Sequence, residues 1–484
     1  MSDDAFITLR VSKRLLGGEG LVWNAGERVQ VFTHPAWGAL LTATFAVLGR
    51  AFWAALLLGI GFTAAALAVL VRAAPKGPAA LIVLVGLGCS RSFVDFSTSG
   101  LENPLLHLLA LVLVLMRPAP VLAGALTGLA LWTRLDTAPL FGVLLLRSLV
   151  PADAGERRSA VLLAGAPTAV WLLFSLFWFG ALLPNPALAK LGAGVPRGEV
   201  AEQGLHYVVE SAAFDPAGAA LLVVGLLACL RRGWRLVGVA VLLQVLWVVR
   251  AGGDFMYGRF LTLPMVTAAA ALASLPVGGR GLPAALALPL LALLGPAPPF
   301  ESPLRNLPES PEAALGPWGL VDERSYYTPG SAVVGARWDH ALPDHRFRRD
   351  AEALEAGEHP LEVAVGMRGT YADGRVWLVD EVAVTEPFLA RLPAKEGQRR
   401  PGHLRRRVPT GYHPGDGDGT CDLESPELQG LCRDVELATR APLFAPGRSA
   451  AVRRLLLGDL GQVLLGRRPG IGPSDALAAG RRDE

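Results

Sequence analysis

Two adjacent carboxylates, Asp3 and Asp4, open the chain beside the apolar pair Phe6 and Ile7. Paired acids of this kind can act as a general base or as a nucleophile. Acids also favour helix N-termini, where they cap free N–H groups and oppose the helix dipole, so a structural role stands beside the chemical one. The run that follows sets Arg10, Lys13 and Arg14 against Leu9, Val11, Leu15 and Leu16. Such a cationic amphipathic helix is expected to lie along a membrane surface. Gly17, Gly18 and Gly20 break it, Asn24-Ala25-Gly26-Glu27 reads as a turn, and Thr33-His34-Pro35 leads into an apolar helix. On this reading Asp3 and Asp4 sit at the edge of the bilayer, at the depth of a lipid head group.

The elements behind this loop are membrane-grade. The 484 residues are 52% hydrophobic and 18% charged, with a mean hydropathy of +0.41. A soluble chain would carry roughly a quarter charged residues. Apolar stretches recur over 51–72, 79–91, 104–116, 119–132, 137–149, 159–183, 216–230, 236–249, 259–275 and 282–294. Several fall short of the roughly 20 residues that a spanning helix needs and must borrow from their loops. Another apolar segment, 36–48, reads as a re-entrant or surface helix, or as half of a hairpin with 51–72.

Cations fall in every second loop: Arg72 with Lys76, Arg117, Arg147 with Arg157 and Arg158, Arg231 with Arg232 and Arg235, then Arg280. The positive-inside rule makes those loops cytoplasmic. The opposite set, with everything after Pro296, is therefore extracytoplasmic, and so is the first loop. That outer set carries Arg91, Glu102, Arg134, Asp136, Asp254, Tyr257 and Arg259. Charges at helix edges are costly unless paired or hydrated, which makes them site candidates. Each also has a plainer reading. Glu102 before Asn103-Pro104 can start a helix, Asp136 can pair with Arg134, Asp254 and Arg259 can simply flank a helix start, and His34 before Pro35 can pack.

The expected organisation is a first loop (1–35), a transmembrane helical domain (36–296), a soluble α/β domain (297–465) and a disordered tail (466–484). Within the soluble part, β-forming residues at 361–365 and 376–379 around Asp373-Gly374 suggest a hairpin. Cys421 and Cys432 could form a disulfide if that domain is outside the cell, whereas Cys89 and Cys229 read as small apolar residues. The 416–419 DGDG run reads as a turn rather than a calcium loop. A net charge of +3 without a basic aromatic stripe gives no nucleic-acid signal, and no metal or cofactor is indicated.

These stretches together resemble a known family. DDAFITLR, GEGLVWNAGERV and THPAW are similar to the first loop of polyprenyl-phosphate-dependent glycosyltransferases of the GT-C class. STSGLENPL (97–105), TRLD (133–136) and GGDFMYGRFLTLP (252–264) recur in that order in the class. YYTPG (326–330), VDEVAVTEPFLARLP (379–393), GHLRRRVPTGYH (402–413) and LATRAPLF (437–444) resemble the terminal arabinofuranosyltransferases of actinobacterial cell walls. The likeness runs from Asp3 to about Leu465. It implies a pentose donor on a polyprenyl phosphate, a glycan acceptor, and a site on the outer face of the bacterial inner membrane. It further implies that Asp3 or Asp4 is the catalytic carboxylate. From their place at outer helix ends, Arg91, Arg134 and Arg259 are expected to hold the donor phosphate through their guanidinium forks, and His34, Glu102, Asp136, Asp254 and Tyr257 to contact substrate. Members of the class carry a membrane helix ahead of the aspartate loop, so the expectation is that one is missing upstream of Met1. A non-catalytic reading remains open, as a lipid-linked sugar carrier or an envelope scaffold, because some relatives are named for flagellar motor control.

Overall fold

Proline and glycine placement sets the helix boundaries along this chain. The computed structural model describes residues 1–73, 78–276, 282–296, 299, 315–316, 318–331, 338, 342–398, 400, 402–414 and 421–465. Lys76, Arg280, the 416–419 turn and the 466–484 tail lie outside the described residues. In chain order the helices are α1 Asp3–Leu16, α2 Pro35–Leu48, α3 Ala51–Ala73, α4 Pro78–Cys89, α5 Arg91–Ser97, α6 Asn103–Leu111, α7 Pro120–Thr133, α8 Ala138–Leu149, α9 Ala154–Trp178 and α10 Asn185–Leu191. They continue with α11 Arg197–Phe214, α12 Pro216–Ala228, α13 Arg235–Arg250, α14 Thr262–Ala273, α15 Leu282–Ala292, α16 Glu323–Ser331, α17 Arg346–Glu352, α18 Gly366–Tyr371, α19 Pro426–Thr439 and α20 Arg448–Leu465. Every apolar stretch read from the sequence as a span holds one of these helices. Two, α3 with 23 residues and α9 with 25, are long and apolar enough to cross a membrane. The number rises to four if the bent pairs α4–α5 (74°) and α11–α12 (110°) each count as one span.

Packing divides the chain into two units. One comprises Met1–Ser2, His34–Ala169 and Val200–Arg337; the other comprises Asp3–Thr33, Val170–Glu199 and Trp338–Glu484. In the first unit, proline stands in the opening turn of α2, α6, α7, α8 and α12, where its missing N–H leaves no helical bond unmade. Gly49 closes α2 in the left-handed region (φ 64°), and α3 folds back on α2, with the Trp37 and Phe62 rings 6.1 Å apart. Asp215 holds two of the bends at once. Its carboxylate accepts from Gly218 N at 2.9 Å to cap α12, and from Ser92 N at 3.0 Å and the Ser90 hydroxyl at 2.6 Å at the start of α5. On α7, Gly124 and Gly128 lie one turn apart against the backbone of α9 at Ala160 and Leu163, so close that a Cβ would overlap it. Small residues at this spacing let membrane helices approach closely.

In the second unit, α1 is buried on most sides rather than lying on a surface, which differs from the amphipathic expectation. Arg10 is 2% exposed and Arg14 4%. Arg10 spends its donors on carbonyls: Gly369 O at 2.6 Å, Trp23 O at 2.9 Å and Val376 O at 3.3 Å, with its guanidinium 4.7 Å from the Trp23 ring. A buried guanidinium can satisfy several carbonyls together, here one from α18 and two from loops. The hairpin around Asp373-Gly374 does not form. Leu361–Glu362 pairs with Val379–Asp380 in parallel, each strand only two residues long, and α18 occupies the connection. Among the described residues these are the only strands of this unit, so an α/β layer is not built. Cys421 and Cys432 are joined by a disulfide, with Cα atoms 5.7 Å apart.

Candidate functional site

Six of the residues singled out from the sequence converge inside the first unit. Glu102, 2% exposed at the start of α6, receives Arg134 Nη1 on Oε1 at 2.7 Å and Arg259 Nη2 on the same oxygen at 3.5 Å. His34 Nδ1 lies 3.3 Å from its other oxygen. Arg134 also grips Asp136 through both edges of its fork, with Nε 2.8 Å from Oδ1 and Nη2 on Oδ2. Arg259 Nη1 reaches Asp254 Oδ2 at 3.2 Å. A buried charge survives only when paired in this way. The backbone here is shaped by glycine: Gly253 and Gly258 have φ of 73° and 69°, and a side chain at either would collide with Tyr207 or Ser92. Behind the cluster, Asn103 Nδ2 donates to Arg259 O at 3.1 Å and to Thr262 Oγ1 at 3.0 Å, and the His107 Nε2 stands 3.0 Å from the same hydroxyl. Among the described residues Asp254 Oδ1, Asn103 Oδ1 and Glu102 Oε2 are buried without a hydrogen-bond partner, which leaves open acceptors in the cluster.

Tyr257 belongs elsewhere in the same unit, at a cavity of about 890 Å³, and Arg91 lies behind its lining, paired with Asp95 and Asp322. The lining includes the apolar Phe52, Leu56 and Ile60 of α3 with Leu84 and Leu87 of α4, and the polar Asp95, Ser97, Thr98, Ser99, Tyr257, Asp322 and Arg324. A chain of ion pairs runs along it. Arg91 Nε meets Asp95 at 2.7 Å and Nη2 meets Asp322 at 3.1 Å, while Arg324 Nη1 meets Asp95 at 2.7 Å. The Tyr257 ring stacks on Phe214 at 4.5 Å. Arg324 and Asp322 were not among the residues selected from the sequence; their only signal was adjacency to the YYTPG motif.

Asp3 lies in the second unit, where its carboxylate caps the N-terminus of α18 from outside. Oδ2 accepts from Gly366 N and Oδ1 from Met367 N, both at 2.8 Å. Burial pushes its pKa up to about 6 against the opposing effect of those two N–H groups. Asp4, the next residue, is half-buried. The same unit holds a second group of enclosed acids. The Tyr412 hydroxyl donates to Glu386 at 2.6 Å, and Arg440 reaches Glu27 at 3.4 Å and Glu436 at 3.2 Å. Burial, then the neighbouring Glu27 carboxylate, pushes Glu386 up to about 8. No cluster of three or more metal-ligating side chains occurs among the described residues.

The chain is similar to two proteins named terminal β-(1→2)-arabinofuranosyltransferase. It is 30% identical over 337 residues to that of Mycobacterium tuberculosis, covering 57% of this chain and 52% of the relative. It is 31% identical over 345 residues to that of Corynebacterium glutamicum, covering 57% and 48%. The chain thus spans about half the length of the curated relatives it matches. No family model matches it, and no solved structure is significantly similar.

Proposed function

We propose that the chain is a membrane glycosyltransferase that moves a sugar, arabinofuranose, from a polyprenyl phosphate to a cell-envelope glycan on the outer face of the inner membrane. The observation that carries this reading is the mixed lining of the cavity in the first unit. A polyprenyl phosphate is a long apolar chain ending in a charged group, and the lining includes apolar residues of α3 and α4 together with Ser97, Thr98, Ser99 and Arg324, which can donate to phosphate oxygens. The likeness to the two arabinofuranosyltransferases supports the sugar and acceptor classes. The Cys421–Cys432 disulfide supports an oxidising compartment for the second unit.

The reaction breaks the bond between the anomeric carbon and the phosphate oxygen and forms one from that carbon to an acceptor hydroxyl. The hydroxyl proton passes to a carboxylate, and polyprenyl phosphate leaves. Phosphate is already a competent leaving group, so the protein supplies a base and cations placed where charge develops. We assign Arg324, which lines the cavity, to the phosphate, with Arg91 behind it holding Asp95 and Asp322. Arg134 and Arg259, committed to Glu102, Asp136 and Asp254, fix the loops that carry them. Of the two first-loop acids we assign the base to Asp4. Both oxygens of Asp3 already accept backbone N–H groups, which suits it to hold the loop in place.

The test uses protein purified from its native membrane, mixed with polyprenyl-phospho-arabinose and a simple arabinoside, with product followed by mass spectrometry. Asp4→Asn should lower turnover by about 100-fold or more, and Arg324→Ala should weaken donor saturation. Full turnover in both Asp3→Asn and Asp4→Asn would end the first-loop mechanism. No product from wild type with any polyprenyl-phosphate sugar would leave the chain as a carrier or scaffold.

A further inference from the structure

We propose that the loop between α19 and α20, centred on Phe444, dips into the lipid and anchors the second unit to the membrane surface. Phe444 is 87% exposed, far more than a large apolar side chain in a water-facing loop favours. Its ring is not isolated. It lies 6.1 Å from that of Phe177, in the last turn of α9, and α9 is one of the two helices long and apolar enough to cross a membrane. Within this unit, Val170, Leu173 and Phe177 recur at helical spacing on one face of α9, 67%, 68% and 48% exposed. Phe444 continues that stripe beyond the end of the helix.

Arg448, 5% exposed, fixes the arrangement. Its Nη2 donates to Phe177 O at 3.0 Å and Trp178 O at 3.2 Å, carbonyls in the last turn of α9, where Trp178 O also accepts from Arg28 Nε at 3.1 Å. Its Nη1 reaches Leu443 O at 3.5 Å and its Nε reaches Ala438 O at 3.1 Å. One guanidinium therefore ties the loop to the end of a membrane helix, which is where a bilayer meets water. Pro442 and Pro446 flank the tip and restrict its backbone. The occupant is the interfacial layer of the bilayer itself, since the apolar surface here is continuous with the lipid-facing side of α9. Aromatic rings concentrate at that depth in membrane proteins.

The test places a nitroxide at Phe444→Cys, and independently at Pro446→Cys, in a Cys89→Ser, Cys229→Ser background reconstituted in nanodiscs. Collision with oxygen, which partitions into lipid, is compared with collision with a water-soluble nickel chelate. Leu173→Cys serves as the lipid reference and Glu427→Cys, on α19, as the water reference. Labels at 444 and 446 should follow Leu173→Cys, with oxygen access several-fold above nickel access. Labels that follow Glu427→Cys would overturn the proposal, placing the tip in water. Protection from both agents would also overturn it, in favour of a protein contact such as a second copy of the chain.

Discussion

At the scale of single residues, the buried Glu102 cluster was legible in the sequence because charge is expensive beside apolar helices. His34, Glu102, Arg134, Asp136, Asp254 and Arg259 each stand at such an edge, and no spacing rule was needed to pick them out. The Arg134–Asp136 pair could be read from adjacency, but that Glu102 takes both arginines and that Arg259 meets Asp254 was not legible. Arg324 escaped notice for the converse reason: with Asp322 and Glu323 beside it, one more charge makes no contrast. The partners of Asp3 stand 363 and 364 positions away, a contact no local pattern encodes. Glu386 lends itself to a pH test. Its folded pKa of about 8 lies above the ordinary 4.5, so the stability it contributes is present below 4.5 and is lost as pH rises through 8. Asp3 and Asp380, both pushed by burial to about 6, complete their titration lower. Thermal unfolding in detergent should therefore show a midpoint that falls from about pH 5 to 8 and levels off above it, with about 1.4 kcal/mol of stability lost per pH unit. Glu386→Gln should flatten that window, and an unchanged slope would show that Glu386 does not titrate there.

At the scale of elements, the apolar runs predicted the helices well because burial in lipid demands a complete set of internal backbone bonds. Proline before a run marked its start in α2, α7 and α12. The soluble stretch was harder. Asp373-Gly374 has turn chemistry, yet the flanking segments pair in parallel around α18, since long-range packing outweighs a weak local preference. Arg10, Lys13 and Arg14 resembled the polar face of a surface helix because a sequence cannot show that all three donate to backbone carbonyls, Lys13 to Thr370 O and Arg14 to Gly374 O among them. A sharper check concerns Gly128 on α7 and Gly142 on α8. Gly128 faces the backbone of α9, whereas nothing lies near Gly142. Gly128→Ala should lower the unfolding midpoint through overlap costing about 1–3 kcal/mol. Gly142→Ala should leave it unchanged or raise it, by up to about 1 kcal/mol of helix propensity. Equal behaviour of the two variants would remove the close α7–α9 contact as a cause.

At the scale of the whole molecule, the alternation of arginine-rich and arginine-poor loops predicts a sidedness, and sidedness decides what the protein can reach. A membrane-impermeant thiol reagent applied to intact cells should modify Glu427→Cys on α19 and leave Arg231→Cys unmodified. The reverse pattern would put the second unit inside and end the outer-face reading. Glu102 also carries a consequence for biogenesis. Arg134 follows it by 32 residues and Arg259 by 157. At roughly 5–20 residues per second of synthesis, the first arginine emerges within about 2–6 seconds and the second about 8–30 seconds after Glu102. The carboxylate thus enters the membrane ahead of both of its cations, with only His34 already made. It must wait protonated or facing water, and α6 settles to its final depth only once the later helices have been translated.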